Sequence, residues 1–534
     1  MLGKRFFSTL ATTVLLAASG TASAAANFEN DVAASIDLGL GWLDGQNCYS
    51  SPFNCGDATG LALLALLEKR PSADGASQGY SGASAADKTR MRSTVRYIID
   101  QVNSQGNWFA YRDGAYLMAL SVYMRTGGPD KDDGPTSELD GAPLTLKQTL
   151  DKVFDRLIAG QIKNQPDSAI PYPASNGYWC YGTYYGSTDC RDSSTTQLVV
   201  GGLVSARGVY LSDQFKDTAR LTQLDAATLL ARQAYERNGT PGGGCTATPP
   251  VGEKGHGYNA GSSNSIQQTA SGLWIQLGGG SSLNNANVQS YLRWLQNRYR
   301  WDNISVEGID AFWGASYWYY LWSSFKAYQF LVDSKASPNP GNIGVADIGT
   351  LPAATAPACA SRQLHRNPDT VSRIALFGPD GAGYYGDETE RVYFDYAYSI
   401  MGYQCATGYY GCNGAPGRWD TYAEQAYALL VLQRSVGGGC LDSDRDGICD
   451  SEDDVIVEPP PSGGLYCERP NDNDNRIDNY DLAAIVAIMG SVSGSVQVTT
   501  ANAWANYRSD SVINRYDYED CKYVMGGRLP KKYY

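Results

Sequence analysis

Between Val32 and Arg434 one pattern recurs six times: an amphipathic stretch, a loop rich in Gly, Trp, Tyr and Asn, then a more apolar stretch rich in small residues. The amphipathic stretches begin at Val32, Thr94, Thr149, Ala226, Val288 and Tyr393, and their apolar partners at Asp57, Arg112, Asp192, Ser262, Gly314 and Trp419. A repeated helical hairpin is a severe constraint. One hairpin cannot bury its own apolar side, so the copies must stack or close on each other. Six copies favour closure, with apolar helices inside and amphipathic ones outside. The expected class is all-α: a closed ring of six hairpins over 25–436, a linker over 437–464 and a small helical module over 465–534.

Lys4 and Arg5 precede an apolar run from Leu10 to Ala18, and Ala22-Ser23-Ala24 offers a small-residue cleavage site, so residues 1–24 are expected to be a secretory signal peptide. No later apolar run is long enough to span a bilayer. Losing two positive charges would take the formal net charge from -13 to -15, and thirteen acids against three arginines between Asp442 and Asp481 carry most of it. Such a balance argues against nucleic acid as a partner. Twelve cysteines in an oxidising compartment suggest disulfides. Proximity pairs Cys48 with Cys55, Cys180 with Cys190, Cys405 with Cys412 and Cys440 with Cys449, leaving Cys245 for Cys359 and Cys467 for Cys521. The alternative of zinc sites is weak, because His256 and His365 are the only histidines.

The elements GWLDGQN…GDATGLALLALL and YIIDQVNSQGNW…GAYLMAL resemble the repeats of the terpenoid cyclase and protein prenyltransferase superfamily over about residues 30 to 435. The resemblance implies an (α/α)6 toroid in which a glutamine ending an outer helix and a Gly-x-Trp tie neighbouring repeats, here Gln105, Gly106 and Trp108. The family's chemistries find no support. The toroid contains no DxDD acid, Asp132-Asp133 is followed by Gly134-Pro135 instead of completing DDxxD, and a zinc thiolate is not expected among oxidised cysteines. An exported terpenoid cyclase is therefore disfavoured.

Asp57, Asp113, Asp192, Asn264 and Asp420 each stand just before or at the start of an apolar helix. They could form a ring of acids, with Asp113 and Asp192 among the catalytic candidates, but helix capping is the plainer reading, and Thr421 with Glu424 has capping-box spacing. Glu307 and Asp310, beside the aromatic run 312-FWGASYWYYLW, are a second candidate acid pair. Thirty-eight tyrosines and eleven tryptophans against twelve phenylalanines favour wetted aromatic surfaces over a hydrocarbon pocket. Clusters at Tyr178-Trp179-Tyr181, Tyr184-Tyr185, Tyr317 to Trp322, Tyr384-Tyr385 and Tyr409-Tyr410 are expected mostly at hairpin tips, to stack on sugars or partner chains, or to cover the ring's ends. His256, on a glycine-rich loop, could be a base or simply structural.

Residues 442–453, DSDRDGICDSED, place oxygens at the positions of a calcium loop: Asp442, Asp444, Asp446, the Ile448 carbonyl, Asp450 and Asp453, with Gly447 at the turn. Gly437–Gly439 before it and Pro459–Pro461 after it leave no room for EF-hand helices, so the loop resembles a thrombospondin type 3 repeat. Beyond a proline-stiffened linker, 470–490 and 506–526 are two copies of one loop–helix unit and resemble a dockerin. The resemblance implies ligands Asp472, Asp474, Asp478 and Asp481 in the first copy, and Asn506, Asp510, Asn514 and Asp517 in the second. Pro470 and Arg508 stand where ligands are expected, which implies weaker calcium binding than at 442–453. It also implies a cohesin-like or cell-surface protein partner, reached through Asn479-Tyr480 and Arg515-Tyr516.

Two functions are compatible with these features. One is a secreted calcium-binding protein whose ring binds a ligand or partner, such as a glycan, with a tail for attachment. The other is a secreted carbohydrate-active enzyme, a glycoside hydrolase or polysaccharide lyase. Convergence of carboxyl groups in an aromatic cavity would favour the enzyme.

Overall fold

The computed structural model describes residues 27–71, 75–133, 138–163, 175–183, 192–242, 252–259, 262–302, 304, 314–350, 359, 361–378, 383–442, 449–450, 479–489, 491, 495–497 and 512–514. The chain is predominantly helical. Six amphipathic helices, α1 (Asn27–Gly45), α3 (Ala85–Ser104), α5 (Leu146–Gly160), α7 (Thr218–Asn238), α9 (Ala286–Asn297) and α11 (Val392–Gly402), alternate with six apolar ones. The latter are α2 (Thr59–Leu67), α4 (Ala110–Arg125), α6 (Ser193–Leu211), α8 (Ile266–Gly278), α10 (Tyr317–Asp333) and α12 (Thr421–Leu432). Every one of the twelve repeated stretches is thus helical.

Their burial follows the pattern of the side chains. In α5, Leu146, Leu150, Val153, Phe154 and Leu157 are buried at helical spacing while the other face is solvated. In α2 all nine residues are buried, as expected of a helix surrounded by others. The apolar helices pack in cyclic order: α2 on α4, α4 on α6, α6 on α8, α8 on α10, α10 on α12, and α12 back on α2. The amphipathic helices lie against them, most of them packing chiefly on the apolar helix that precedes them in the ring: α3 on α2, α5 on α4, α7 on α6, α9 on α8 and α1 on α12. Small residues set the spacing. A Cβ added at Gly114 would lie 2.3 Å from the Leu198 carbonyl oxygen, and one at Gly202 2.7 Å from the Gly114 carbonyl oxygen, so α4 and α6 approach backbone to backbone.

The hairpins are also tied by side chains. Gln105 accepts from Arg112 Nη1 (2.6 Å), and the Trp108 ring packs on Gly160 at the end of α5. The same device recurs where the sequence pattern is looser. Gln161 Nε2 donates to the Ala227 carbonyl (2.8 Å), while Trp179, in Gly177-Tyr178-Trp179, donates its indole N–H to the Leu157 carbonyl (2.6 Å). Gln404 Nε2 donates to the Ser35 carbonyl (2.9 Å), joining the last hairpin to the first.

Disulfides Cys48–Cys55, Cys405–Cys412 and Cys440–Cys449 form as proximity suggested. Cys180 and Cys359 are also disulfide-bonded; Cys190 and Cys245, expected to pair with them, lie outside the described residues. No described helix is long and apolar enough to cross a membrane. Two short hairpins complete the structure: β1 (His256–Gly257) with β2 (Asn264–Ser265), and β3 (Ser495–Gln497) with β4 (Val512–Asn514). The aromatic run Tyr317–Trp322 is not a hairpin tip. It forms the start of α10, where Tyr317, Trp318, Tyr320 and Trp322 are fully buried.

The axis of the ring is filled. Lys326 of α10 is fully buried there, its Nζ 4.1 Å from the ring centroids of both Trp274 and Trp322, with no hydrogen-bond partner. Desolvation drives its pKa well below the usual lysine value.

Two outcomes follow from this packing. Gly114→Ala should lower the unfolding free energy by about 1–3 kcal/mol, seen as a lower urea midpoint with little change in m, because the added methyl has no free space at the α4–α6 crossing. Lys326→Met should stabilise the fold at pH 7, read as a higher urea midpoint. In that pH range the unfolded lysine binds a proton that the folded one resists. The advantage of Lys326→Met should therefore shrink as pH rises toward about 10.

Candidate functional site

At the end of the ring where the apolar helices begin, their first turns surround a cavity of about 380 Å3. All six contribute: Asp57 and Leu61 at α2, Tyr111 at α4, Ser194 at α6, Gln267 and Gln268 at α8, Tyr319 at α10, and Ala423, Glu424 and Tyr427 at α12. Phe109, Tyr181, Tyr258 and Trp419 complete an aromatic wall. Among the described residues the lining includes three carboxyl groups and no lysine or arginine.

The three acids are not equivalent. Asp420 is the N-cap of α12, its Oδ1 accepting from the N–H groups of Tyr422 (2.9 Å) and Ala423 (2.7 Å), and it stays exposed at the rim. Glu424, one turn deeper, is 2 % exposed. Its Oε1 accepts from the Trp419 N–H (2.9 Å), and its Oε2 has no hydrogen-bond partner. Desolvation raises its pKa to about 8, reinforced by Asp420 and opposed by the Trp419 N–H and Arg418. Asp57, at the rim in the 3-10 turn Pro52–Ala58, is also shifted upward, first by desolvation and then by Asp113 and Asp420, with Arg112 opposing. At neutral pH the site therefore holds a buried carboxylic acid that keeps its proton beside two carboxyls at the mouth. A carboxylic acid that holds its proton at neutral pH is what a general acid requires.

Below the wall several hydroxyl and amide groups bond one another. The hydroxyls of Tyr319 and Ser271 share a hydrogen bond (2.8 Å), and Ser271 (2.9 Å) and Ser323 (2.6 Å) both donate to Gln197 Oε1. Trp322 stacks under Tyr427 at 5.1 Å, and Lys326 with Trp274 follows one turn further in. The cavity is thus a pit and not a channel. At the opposite end Gly437–Gly439 cross the ring, Gly437 and Gly438 with positive φ (77° and 85°) and packed against Met118, Val122 and Ser205. Side chains in that conformation would be strained. The Arg125 guanidinium donates to the Gly438 carbonyl, and Arg207 pairs with Asp442, the first residue of the 442–453 acidic run.

No family model, curated protein or solved structure matches this chain.

The residues singled out from the sequence are distributed as follows. Asp192 does cap α6, through the N–H groups of Ser194 (2.8 Å) and Thr195 (3.1 Å), and stands behind the wall, bonded by the Ser194 hydroxyl that Tyr111 also contacts. Asp113 is fully buried away from the cavity, held by Arg112 Nε (2.9 Å) and Arg156 Nη2 (2.7 Å), and so ties adjacent hairpins. Asn264 lies in β2, where its side chain serves the Thr240 and Gly242 carbonyls, and Ser265 caps α8 instead. The Thr421–Glu424 capping box does not form. Asp420 supplies the cap and frees Glu424 to face the cavity. Glu307 and Asp310 lie outside the described residues.

His256 is fully buried, its Nε2 on the Tyr178 hydroxyl (2.8 Å) and its Nδ1 on the Gly257 carbonyl (2.7 Å), with burial lowering its pKa to about 4. It is a structural pin. His365 shares a 2.6 Å bond with Asp395, away from the cavity.

Of the calcium positions, Asp442 and Asp450 are described, whereas Asp444, Asp446, Ile448, Asp453, Asp472, Asp474, Asp478, Asn506, Asp510 and Asp517 lie outside the described residues. Asp481 falls in α13 (Asn479–Met489), the helix expected after the first dockerin-like loop. Asn514 falls in β4, where Ile513 is buried opposite Val496. Among the described residues no cluster of three or more metal-ligating side chains occurs.

Proposed function

We propose that the protein is a secreted carbohydrate-active enzyme that hydrolyses a glycosidic bond in the pit, with Glu424 as the general acid. The observation that carries this reading is the contrast between buried Glu424, protonated up to about pH 8, and the rim carboxyls Asp57 and Asp420, in a cavity walled by tyrosine and tryptophan. Glu424 gives its proton to the leaving glycosidic oxygen as the C–O bond breaks. A rim carboxylate takes a proton from the water that adds to the anomeric carbon. The lack of basic side chains among the described lining residues favours an uncharged glycan over a uronate, and so a hydrolase over a lyase. In this reading the enzyme alternative moves ahead of simple ligand binding.

The same proposal takes the six hairpins as an (α/α)6 toroid of the terpenoid cyclase and prenyltransferase type, supported by the cyclic packing of the apolar helices and the recurrent glutamine ties. Export is supported by the disulfides. Calcium at 442–453 is supported by the Asp450 N–H bond to the Leu441 carbonyl (2.8 Å) and the Cys440–Cys449 bridge, which draw positions 1 and 9 of the loop together. Asp442, Asp444, Asp446, Ile448, Asp450 and Asp453 would hold the ion. The dockerin-like tail would attach the enzyme to a partner protein.

Glu424→Gln should leave melting and far-UV dichroism near wild type and lower kcat on a neutral glycan roughly 10²–10⁴-fold. The wild-type rate should fall as pH rises through about 8, where Glu424 loses its proton. An unchanged rate in Glu424→Gln would refute the assignment. Chelation with EGTA should lower the melting transition of the tail while leaving that of the ring within about a degree; scanning calorimetry with and without added calcium measures both.

A further inference from the structure

We infer that the pit admits only the end of a glycan chain and that Trp419 is the platform on which the sugar unit just outside it stacks. This rests on the glycosidase reading above. The first argument is shape. The first turns of six helices surround the cavity, so its wall is continuous around the circumference among the described residues. Its floor is closed by the Ser271, Gln197 and Ser323 network and then by Trp274, Trp322 and Lys326, all buried. Among the described residues a chain finds no passage through the ring and no groove to lie along. A terminus can enter.

The second argument is Trp419 itself. It is 63 % exposed, in a protein whose Trp179, Trp274, Trp294, Trp318 and Trp322 are fully buried. It is nevertheless fixed at both ends. Its indole N–H donates to Ser316 Oγ (2.9 Å), and its backbone N–H is held by Glu424 Oε1 (2.9 Å). A flat apolar face is thereby held rigid in water at the mouth, with its ordering entropy already spent before any ligand arrives. The C–H face of a pyranose suits such a surface, and the ring's remaining hydroxyls need not be desolvated. Because the same residue touches the general acid through its backbone, the platform and the proton donor are in fixed register. The bond broken would be the one between the unit inside the pit and the unit on Trp419. Glu424 protonates its oxygen, which leaves with the outer part of the chain, and water completes the new end within the pit.

The test uses the full chain with end-labelled neutral oligosaccharides and with glycosyl fluorides of the same sugars, whose small leaving group does not reach Trp419. The expected result is release of one product of fixed small size from one chain end. Trp419→Ala should raise KM for oligosaccharides about tenfold, and by several-fold more than it raises KM for the glycosyl fluoride. Trp419→Phe should restore most of the loss. Random internal cleavage, or equal damage to oligosaccharide and glycosyl fluoride, would overturn this inference and leave the hydrolase reading intact. Oligosaccharide binding that quenches tryptophan fluorescence in wild type but not in Trp419→Ala, without turnover, would support the platform and defeat the hydrolase. Absence of both binding and turnover defeats the two together.

Discussion

The site exists only because the first helix completes the last hairpin. Helix α1 packs on α11 and α12, and its contacts join residues more than three hundred positions apart: Asp31 with Arg373 (2.7 Å), the Ser35 carbonyl with Gln404 (2.9 Å) and with the Tyr410 hydroxyl (3.0 Å), and Glu29 with Arg434 (3.1 Å). None of these polar contacts is strong by itself, since partly exposed ion pairs contribute little. Their value lies in closure. An open stack of six hairpins would leave α2 and α12 each with a bare apolar side, whereas the closed ring buries both and brings six helix starts to one place.

That convergence sets the electrostatics of the cavity. Each helix N-terminus carries partial positive charge, which favours anions nearby, and Asp192 and Asp420 use that field directly as caps. Glu424 sits one turn inside, where loss of water dominates and the proton is retained. Two acids four residues apart on one helix, Asp420 and Glu424, thus meet opposite environments because one lies at the helix end and the other within its first turns. The tyrosine-rich composition fits the same picture. Buried hydroxyls such as those of Tyr319 and Tyr111 find partners on neighbouring helices (Ser271 at 2.8 Å, Ser194 at 2.6 Å) and fix the wall without drawing on the acids.

Much of the fold was legible in the chain. Twelve helices follow from repeated apolar periodicity, and the caps at Asp192 and Asp420 from residue type and position. The cavity was not legible, for a geometric reason. Its lining comes from six distant segments at one or two residues each, so no local window holds a signal. Glu424 was visible only as half of an apparent capping box with Thr421, a local reading displaced by Asp420, which stands one residue earlier and caps better. Asp113 looked like a candidate acid because its partner Arg156 is brought to it by a different helix, α5. The run Tyr317–Trp322 looked like a surface cluster because its aromatics suggested a tip, yet four of its six residues are wholly buried in an inner helix.

The three glycines after α12 have a consequence for access to the pit. They cross the face where the apolar helices end, beside Val204 and Phe330, and lead the chain away with Arg125 and Arg207 as fastenings. The pit opens on the other face. The described chain therefore departs from the ring on the face opposite the opening, which leaves the mouth of the pit clear of that departure.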